Sequence, residues 1–529
     1  MQDVMAEDST VPDTDGVPDT DGVPDTDGVP DTDGVDRPVG GGALRRHGRR
    51  SRRWLSGRWA PVAASTVTVV VGMCYMLYFN PLFRGEPYWA AGGDLWGIVQ
   101  AAHSVQWGYF GGIYDPLHQV VTFPGIFLLL VPAAWLASTL HLAESSPPFF
   151  IGHPPSLLVY QPVELLLGVP LLFAANSLCR SLGVPERRRV AAVWAVGVLA
   201  FPVSAVWAHT EDLLAVALLL FAARAALERR WSAAGWLLGA GIVIQPLVGL
   251  AAPVLVASLP GRARLGAVVK GVLPSAVLVG LAFVGNPSGT YRSVVEQPTP
   301  PATNHATPWV SLAPSVPPPK ASPTGMPPPR AVAPPSTVPH PHFRVVETAL
   351  HPKAAKFVSG GPVRTFGVLL ALSLGLVVWR RRVTPSGLLW LLAVALAIRG
   401  YFEPVMTPYY LAPPLAVGIV VVAGKGRARL AVAVAISFAM TVFGYYHLSP
   451  WAWWAPMMVG MTAVLALGFP GTDAIDLRRR RVAASTIDEA AWFAEDPTDA
   501  GADEPGVEDG AGPSERPERV LASREPLDA

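Results

Sequence analysis

Long apolar runs, separated by short polar segments, fill this sequence between residues 59 and 470. A helix of about 20 apolar residues can cross the hydrocarbon core of a bilayer, and exposing several such runs to water is too costly to be stable. With 51% hydrophobic and only 15% charged residues among 529, the chain lacks the charged surface of a soluble protein of this size. The sequence therefore predicts an all-α polytopic membrane protein.

Arginine clusters at the ends of the apolar runs set the expected orientation. By the positive-inside rule, short segments rich in Lys and Arg stay in the cytoplasm. The clusters at 45–53 and 478–481 therefore predict a multi-pass protein of the plasma (cell) membrane with cytoplasmic N- and C-termini. Because the formal net charge is only +1 and these arginines border apolar runs, no nucleic-acid partner is expected.

The membrane domain is expected to occupy residues 54–472, with about 10–12 transmembrane helices. Two outer loops interrupt it, at about 80–119 and at about 286–361, and the second is rich in proline. Residues 1–53 contain four VPDTDG repeats and a basic cluster, and residues 473–529 are acidic. Both ends are predicted to be disordered and cytoplasmic, because neither has enough apolar side chains to form a core.

Two stretches conflict with the charge rule. Two full crossings between the first outer loop and the arginines at 187–189 would place those arginines outside. We therefore expect that either the run with Pro124 and Pro132 or the run with Pro162 and Pro170 crosses incompletely. The run 234–258 poses the same problem, and the Gln-Pro pair at 245–246 predicts two half-helices that return to the cytoplasm.

Ionisable and aromatic residues interrupt the apolar pattern at several points that the charge rule places on the outer face. A charged group within a membrane span marks a functional site by default, because it is costly unless it faces water or a partner. The candidate catalytic residues are Asp94, His209 and His305. The candidate substrate-binding residues are Glu211, Asp212, Trp309, Arg399, Glu403, Tyr409 and Tyr410.

Each candidate also has a structural interpretation. Asp94 follows two glycines and precedes a helical pattern, so it can be a helix N-cap. Glu211 and Asp212 can be acidic residues favoured by the N-terminal end of a helix dipole. Arg399 can extend its side chain to the membrane interface, and His305 can be an ordinary residue of an irregular loop.

The functional interpretation assigns different tasks to these residue types. A carboxylate or imidazole can accept the proton of a sugar hydroxyl, and an arginine at the same depth can hold the phosphate of a lipid-linked donor. No HExxH, Walker A, GxSxG or CxxC motif occurs, and no GxGxxG follows a strand, so zinc protease, ATPase, serine hydrolase and dinucleotide-binding functions have no support. A cofactor or metal site is not expected.

Two short pieces, AHTED at 208–212 and RRWSAAGWLLGAGIVIQPLVGLAAPVL at 229–255, together with the early acid Asp94 in the first outer loop, resemble the GT-C superfamily of integral-membrane glycosyltransferases. The layout of residues 59–470 is similar to the actinobacterial polyprenyl-phosphate mannosyl- and arabinosyltransferase-like group with a DUF2029-type architecture. The resemblance implies a polyprenyl-phosphate sugar donor, a cell-envelope glycan or glycolipid acceptor, inversion at the anomeric carbon and often no metal.

The same resemblance implies that an acid in the first outer loop is the general base, a position that Asp94 matches. The sequence departs from the family where a lysine is usual, because Gln245 precedes Pro246 here, and a paired-acid element is missing around Asp94. The alternative function is a transporter or a non-catalytic membrane protein that uses the same polar cavity. Many transporters contain inverted repeats, and none is visible in this sequence.

Deleting residues 1–35 and 483–529 together is expected to leave expression and thermal stability unchanged. The repeats and the acidic tail bury too little apolar surface to offset the entropy cost of ordering them. Membrane yield and the melting temperature of the purified protein measure this. A large decrease in either would show that the ends fold onto the membrane domain.

Overall fold

The computed structural model describes most of the predicted membrane domain. The described residues are 59–79, 95–115, 120–142, 157–301, 304–317, 357–446, 448–471 and 475–476. The expected disordered N-terminus, the four repeats, Asp94 and nearly all of the acidic tail lie outside the described residues.

The described chain is helical almost throughout. Its α-helices are α1 Ala60–Cys74, α2 Leu95–Gln106, α3 Gly125–Thr139, α4 Leu157–Gly168, α5 Pro170–Ser181, α6 Glu186–Phe201, α7 Thr210–Leu227, α8 Trp231–Ile244, α9 Ala252–Ser258, α10 Gly261–Gly285, α11 Pro287–Tyr291, α12 Gly361–Arg380, α13 Pro385–Phe402, α14 Ala412–Ala423, α15 Arg427–Phe443 and α16 Pro450–Gly468. Short π or 3₁₀ turns occur at Tyr75–Phe79, Phe110–Gly112, Pro202–Val206, Pro246–Leu250, Arg292–Glu296, Pro308–Leu312 and Pro408–Leu411.

Extended structure in the described residues is limited to three antiparallel pairs of two-residue strands. The strands are β1 His305–Ala306, β2 Ser315–Val316, β3 Phe357–Val358, β4 Arg382–Val383, β5 Val405–Met406 and β6 Ile475–Asp476. They pair as β1 with β5, β2 with β3, and β4 with β6. These short ladders tie loops to helix ends and do not form a sheet layer.

Seven helical segments among the described residues are long and apolar enough to cross a membrane, and three shorter apolar helices accompany them. Large apolar side chains cover the outer faces of α10 and α12, where Val272, Val284 and Leu369 are exposed. Such faces are stable against lipid and unstable against water. The prediction of an all-α polytopic membrane protein is therefore confirmed, with ten apolar helices in these two groups.

Two helices form the centre of the bundle. Every residue of α14 is buried, as are most residues of α7. The aliphatic side chains of α7 cover all sides of the helix rather than one stripe, which is typical of a helix enclosed by other helices. The polar residues at the start of α7 therefore lie within the bundle and not at its edge.

The chain breaks at Gln245 as the sequence predicts. Pro246 cannot donate a backbone hydrogen bond, and Gln245 adopts an extended conformation with φ −144° and ψ 114°. On one side of the break, Gly235 packs against Ala267 and Gly239 against Lys270, so α8 and α10 run side by side in the same direction. Because α8 and α10 run in the same direction, α9 must lead the chain back to the end of the bundle at which α8 begins. The helices α8 and α9 are therefore the two predicted half-helices.

Of the two proline-bearing runs, the one with Pro124 and Pro132 forms the shorter helix, which is the form expected of an incomplete crossing. The segment Leu158–Ser181 is a span-length helix, whereas α3 belongs to the shorter helices. Near the end of α3, Ser138 lies 3.3 Å from the Gln106 side-chain nitrogen. At the start of α4, the Tyr160 hydroxyl lies 2.8 Å from His103 Nε2. Since both contacts are made with the last turn of α2, α3 ends and α4 begins at the same end of the bundle.

Part of the expected first outer loop is a packed helix. In α2, Leu95, Ile98, Val99 and Ala102 are all buried. Their spacing of three and four residues places them on one face of the helix, which the sequence interpretation did not use. The loop that carries Asp94 therefore leads directly into an element of the bundle.

The close approach of α8 to α10 gives a stability prediction. A methyl group at Gly239 would overlap the backbone carbonyl oxygen of Lys270, whereas one at Gly280 of α10 would meet open space. Gly239→Ala is expected to lower the free energy of unfolding by about 1–3 kcal/mol, because two backbones must separate. Gly280→Ala is the matched control and is expected to be neutral or stabilising by up to about 1 kcal/mol. Denaturant titration of both variants measures this, and equal effects would contradict the packing.

Candidate functional site

The polar residues predicted from two distant parts of the sequence meet at one end of the bundle. His209 stacks on Tyr409, with ring centroids 4.0 Å apart and planes inclined by 20°. Asp212 lies within electrostatic reach of Arg399. The start of α7, the end of α13 and the 3₁₀ turn before α14 therefore form a single polar cluster.

The turn before α7 orients the first members of this cluster. Ala208 has a φ of 55°, which reverses the chain between the end of α6 and the start of α7. His209 then places its Nδ1 atom 2.6 Å from Oε1 of Glu211. The imidazole is partly exposed and the carboxylate is buried, so Glu211 orients the ring from the protein side.

Arg399 is enclosed by aromatic and acidic groups. Its guanidinium carbon lies 3.5 Å from the centroid of the Tyr410 ring, and its Nε lies 3.6 Å from Oε2 of Glu403. The side chain is only 16% exposed. It therefore turns into the polar cluster instead of extending to the interface, which favours the functional interpretation over the structural one.

Asp212 has the carboxylate with the fewest hydrogen bonds in the cluster. Its side chain is fully buried, and neither carboxylate oxygen has a partner in hydrogen-bonding geometry. The side chain of Gln245 lies beside it, at the break between α8 and α9. Gln245, at which the sequence departs from the GT-C pattern, is therefore part of the cluster, as an uncharged neighbour of an acid.

Glu164 belongs to the same cluster and was not among the predicted site residues. It lies in α4, is fully buried and accepts a hydrogen bond from the Thr210 hydroxyl. It also lies within electrostatic reach of Glu211 and His209. A single carboxylate within the apolar run 157–179 was the available signal, because an intramembrane acid marks a site by default.

The buried acids leave several acceptor atoms without donors. Among the described residues, these atoms are Gln161 Oε1, Glu164 Oε1, Glu211 Oε2 and both carboxylate oxygens of Asp212. An unpaired buried polar atom costs about 1–3 kcal/mol, and more when it is charged. The cluster is therefore rich in acceptors and suits a group that supplies several hydrogen-bond donors.

Glu403 lies between two arginines. Arg364, in the first turn of α12, forms an ion pair with Glu403 opposite Arg399. Arg364 also donates a 2.7 Å hydrogen bond to Oε1 of Gln297, which follows α10. Glu403 thus joins α12, α13 and the segment after α10, so its position is explained by assembly of the bundle end as well as by substrate binding.

His305 and Trp309 occupy the strand and turn that cover the end of α13. His305 is buried and stacks on Trp453, with centroids 4.3 Å apart, while its backbone pairs with Met406. The indole nitrogen of Trp309 donates a 2.6 Å hydrogen bond to the carbonyl of Tyr401. These contacts give both residues a packing role, which is the structural interpretation that the sequence left open for His305. The remaining candidate, Asp94, lies outside the described residues.

The cluster is rich in acidic side chains, and these side chains are shielded from solvent. The three acids Glu164, Glu211 and Asp212 are each at most 1% exposed. Within the described residues, no group of three His, Cys, Asp or Glu side chains has an arrangement that could hold a metal ion. The geometry therefore defines an integral-membrane protein with a buried acidic cluster, one arginine and aromatic rings at one end of its bundle.

No protein-family model matches the chain, and no curated protein matches it. The resemblance to GT-C glycosyltransferases consequently stays with the short sequence pieces that carry it. The functional argument rests on the chemistry of the cluster.

The charge balance of the cluster gives a stability prediction. Arg399→Met removes the cation that faces Asp212 and one of the two that face Glu403, so it is expected to destabilise the protein by about 3–5 kcal/mol. Glu164→Gln keeps an acceptor for Thr210 and removes one of three neighbouring negative charges, so the melting temperature is expected to stay equal or rise.

The matched control is Arg230→Met, because Arg230 is exposed and lies 3.8 Å from Glu228. Its effect is expected to stay within about 0.5 kcal/mol. Thermal denaturation of the purified variants in the same detergent compares all three. If Glu164→Gln destabilised the protein as much as Arg399→Met, the Glu164 carboxylate would be a required member of a balanced charge network.

Proposed function

We propose that the protein is an integral-membrane glycosyltransferase that moves a sugar from a polyprenyl-phosphate donor to a cell-envelope glycan or glycolipid. The observation that carries the proposal is the set of buried acceptor oxygens without donors beside Arg399. A sugar offers several hydroxyl donors on one small ring, which matches such a set. An arginine beside the acceptors adds a site for an anionic leaving group.

The sugar is assigned to the side of the cluster formed by α4 and α7. Glu164, Glu211 and Asp212 present carboxylate oxygens there, and the stacked rings of His209 and Tyr409 supply an aromatic wall. Carboxylates bind hydroxyl donors strongly because the acceptor is charged. This combination also supports an orientation of the sugar in which its anomeric carbon faces Arg399.

The donor phosphate is assigned to Arg399. The Nε edge of its guanidinium faces Glu403 and its plane lies over Tyr410, so the terminal nitrogens are the groups available for a phosphate oxygen. Tyr409 and Tyr410 precede α14 and flank the path of the polyprenyl chain into the bilayer. A neutral polar side chain at Gln245 leaves Arg399 as the cation nearest the acids of α7 in this scheme.

The transfer step conserves charge within the site. The acceptor hydroxyl oxygen forms a bond to the anomeric carbon, the bond from that carbon to the phosphate oxygen breaks, and polyprenyl phosphate leaves. The hydroxyl proton passes to a carboxylate, which acts as general base. Following the resemblance, we assign that role to Asp94, while the acids of α4 and α7 hold the sugar and Arg399 stabilises the charge that develops on the phosphate.

One observation favours a second function, proton-coupled transport. A broken helix whose interruption lies beside a buried carboxylate is a common arrangement at transporter sites, and Gln245 beside Asp212 has this form. In that case the acids would carry protons and the substrate would cross unchanged. Uptake of radiolabelled sugars by energised vesicles, without formation of a labelled lipid or polymer, would support this function.

Membranes that contain the protein are expected to transfer label from radiolabelled polyprenyl-phosphate mannose or arabinose to envelope lipids or polymers. Asp94→Asn is expected to lower the rate by about 10²- to 10⁴-fold, because it removes the general base and keeps a helix cap. Arg399→Lys, which keeps a cation without the planar guanidinium, is expected to raise KM for the donor.

The matched control is Glu228→Gln, a partly exposed acid at the opposite end of α7. Activities are compared per amount of folded, correctly inserted protein, at a temperature below the melting temperature of every variant. Full transfer activity in both Asp94→Asn and Arg399→Ala would require the catalytic assignment to be abandoned.

A further inference from the structure

A cavity of about 700 Å³ lies at the end of the bundle opposite the polar cluster. It is formed by the first turns of α15 and the last turns of α16, next to the turn that follows α14. Lys425 and Arg429 line it together with apolar side chains that include Val432, Ile436, Leu467 and Phe469. Two cations and a wall of apolar side chains therefore share one concave surface.

The two cations lie close enough to affect each other. Burial and the charge of Arg429 both lower the pKa of the Lys425 ammonium. In the part of the chain that the structure describes, neither cation forms an ion pair with an acidic side chain, unlike Arg224, Arg364 and Arg399. Two adjacent like charges are unfavourable unless an anion lies between them, so this corner is suited to an anionic ligand.

The rest of the wall is suited to hydrocarbon. Val432 and Ile436 are four residues apart on α15 and so lie on one face of that helix, one turn apart. Val432 is 48% exposed, and Val459, one turn before Ala463 on α16, is exposed as well. In a membrane these side chains contact lipid tails, so the cavity opens along its length to the bilayer.

We propose that this cavity binds an anionic phospholipid, with the phosphate between Lys425 and Arg429 and an acyl chain along Val432 and Ile436. The charges select an anion, and the continuous apolar wall selects one that carries a hydrocarbon chain. Basic pockets between transmembrane helices bind anionic headgroups by the same combination. The lipid would fasten the turn after α14 to the ends of α15 and α16, and it is separate from the donor lipid of the polar cluster.

The test measures lipid retention by the full chain. Protein is extracted from bilayers of phosphatidylcholine with phosphatidylglycerol and washed in a neutral detergent. The lipids that remain bound are then identified by native mass spectrometry. The wild type is expected to retain phosphatidylglycerol and not phosphatidylcholine. Lys425→Gln with Arg429→Gln is expected to weaken retention about 30-fold, from the typical contribution of two basic residues near a headgroup.

Two further variants separate binding from general effects. Lys425→Arg with Arg429→Lys keeps both charges and is expected to retain the lipid. Arg230→Gln with Arg262→Gln removes two exposed cations at the same end of the bundle and is expected to leave retention unchanged. Equal melting temperatures in phosphatidylcholine alone are expected for all variants, which shows that the folded state is intact.

Three results would overturn the proposal. One is equal retention of phosphatidylcholine and phosphatidylglycerol by the wild type. Another is the same loss of lipid from the control pair at 230 and 262 as from the cavity pair. The third is complete displacement of phosphatidylglycerol by millimolar glycerol phosphate, which would show that the phosphate alone is recognised and that no acyl chain occupies the wall.

Discussion

The burial of Arg399 among acids is the interaction on which one end of this bundle depends. The Arg399 side chain is only 16% exposed, and a charge that is so enclosed needs partners from the protein. Arg399 reaches Glu403 on its own helix, Tyr410 before α14 and the electrostatic field of Asp212 at the start of α7. A shift of any of these elements by one turn would leave a buried charge unpaired, so the interaction fixes their relative depth.

The break at Gln245 also concerns the polar cluster, because it lies beside the buried acid Asp212. A continuous helix through Pro246 would lose a backbone hydrogen bond. The half-helices expose a polar side chain at that depth and turn the chain back within the bundle. Irregular backbone is tolerated in a membrane only where protein surrounds it, and α7, α12 and α13 pack against the turn that follows the break.

The two ends of the bundle differ in chemistry. One end gathers carboxylates that exceed the cations facing them, and the other carries arginine and lysine side chains, including the pair at Lys425 and Arg429. Acceptors without donors suit hydroxyl groups, and cations without acids suit phosphate groups. The proposed sugar site and the proposed lipid site therefore lie at opposite ends of one bundle.

The sequence by itself determined the membrane class, the break at Gln245 and the residues of the His209–Asp212 corner, because hydropathy, proline geometry and charge in an apolar run are local properties. It also named Arg399 and Tyr409, but not their approach to the residues at the start of α7. Only the tertiary structure decided that Glu164 joins the cluster, that Glu403 also pairs with Arg364, and that α3 is the short helix. Those facts depend on which helix faces pack together, and a run that is apolar on every side does not specify its neighbours.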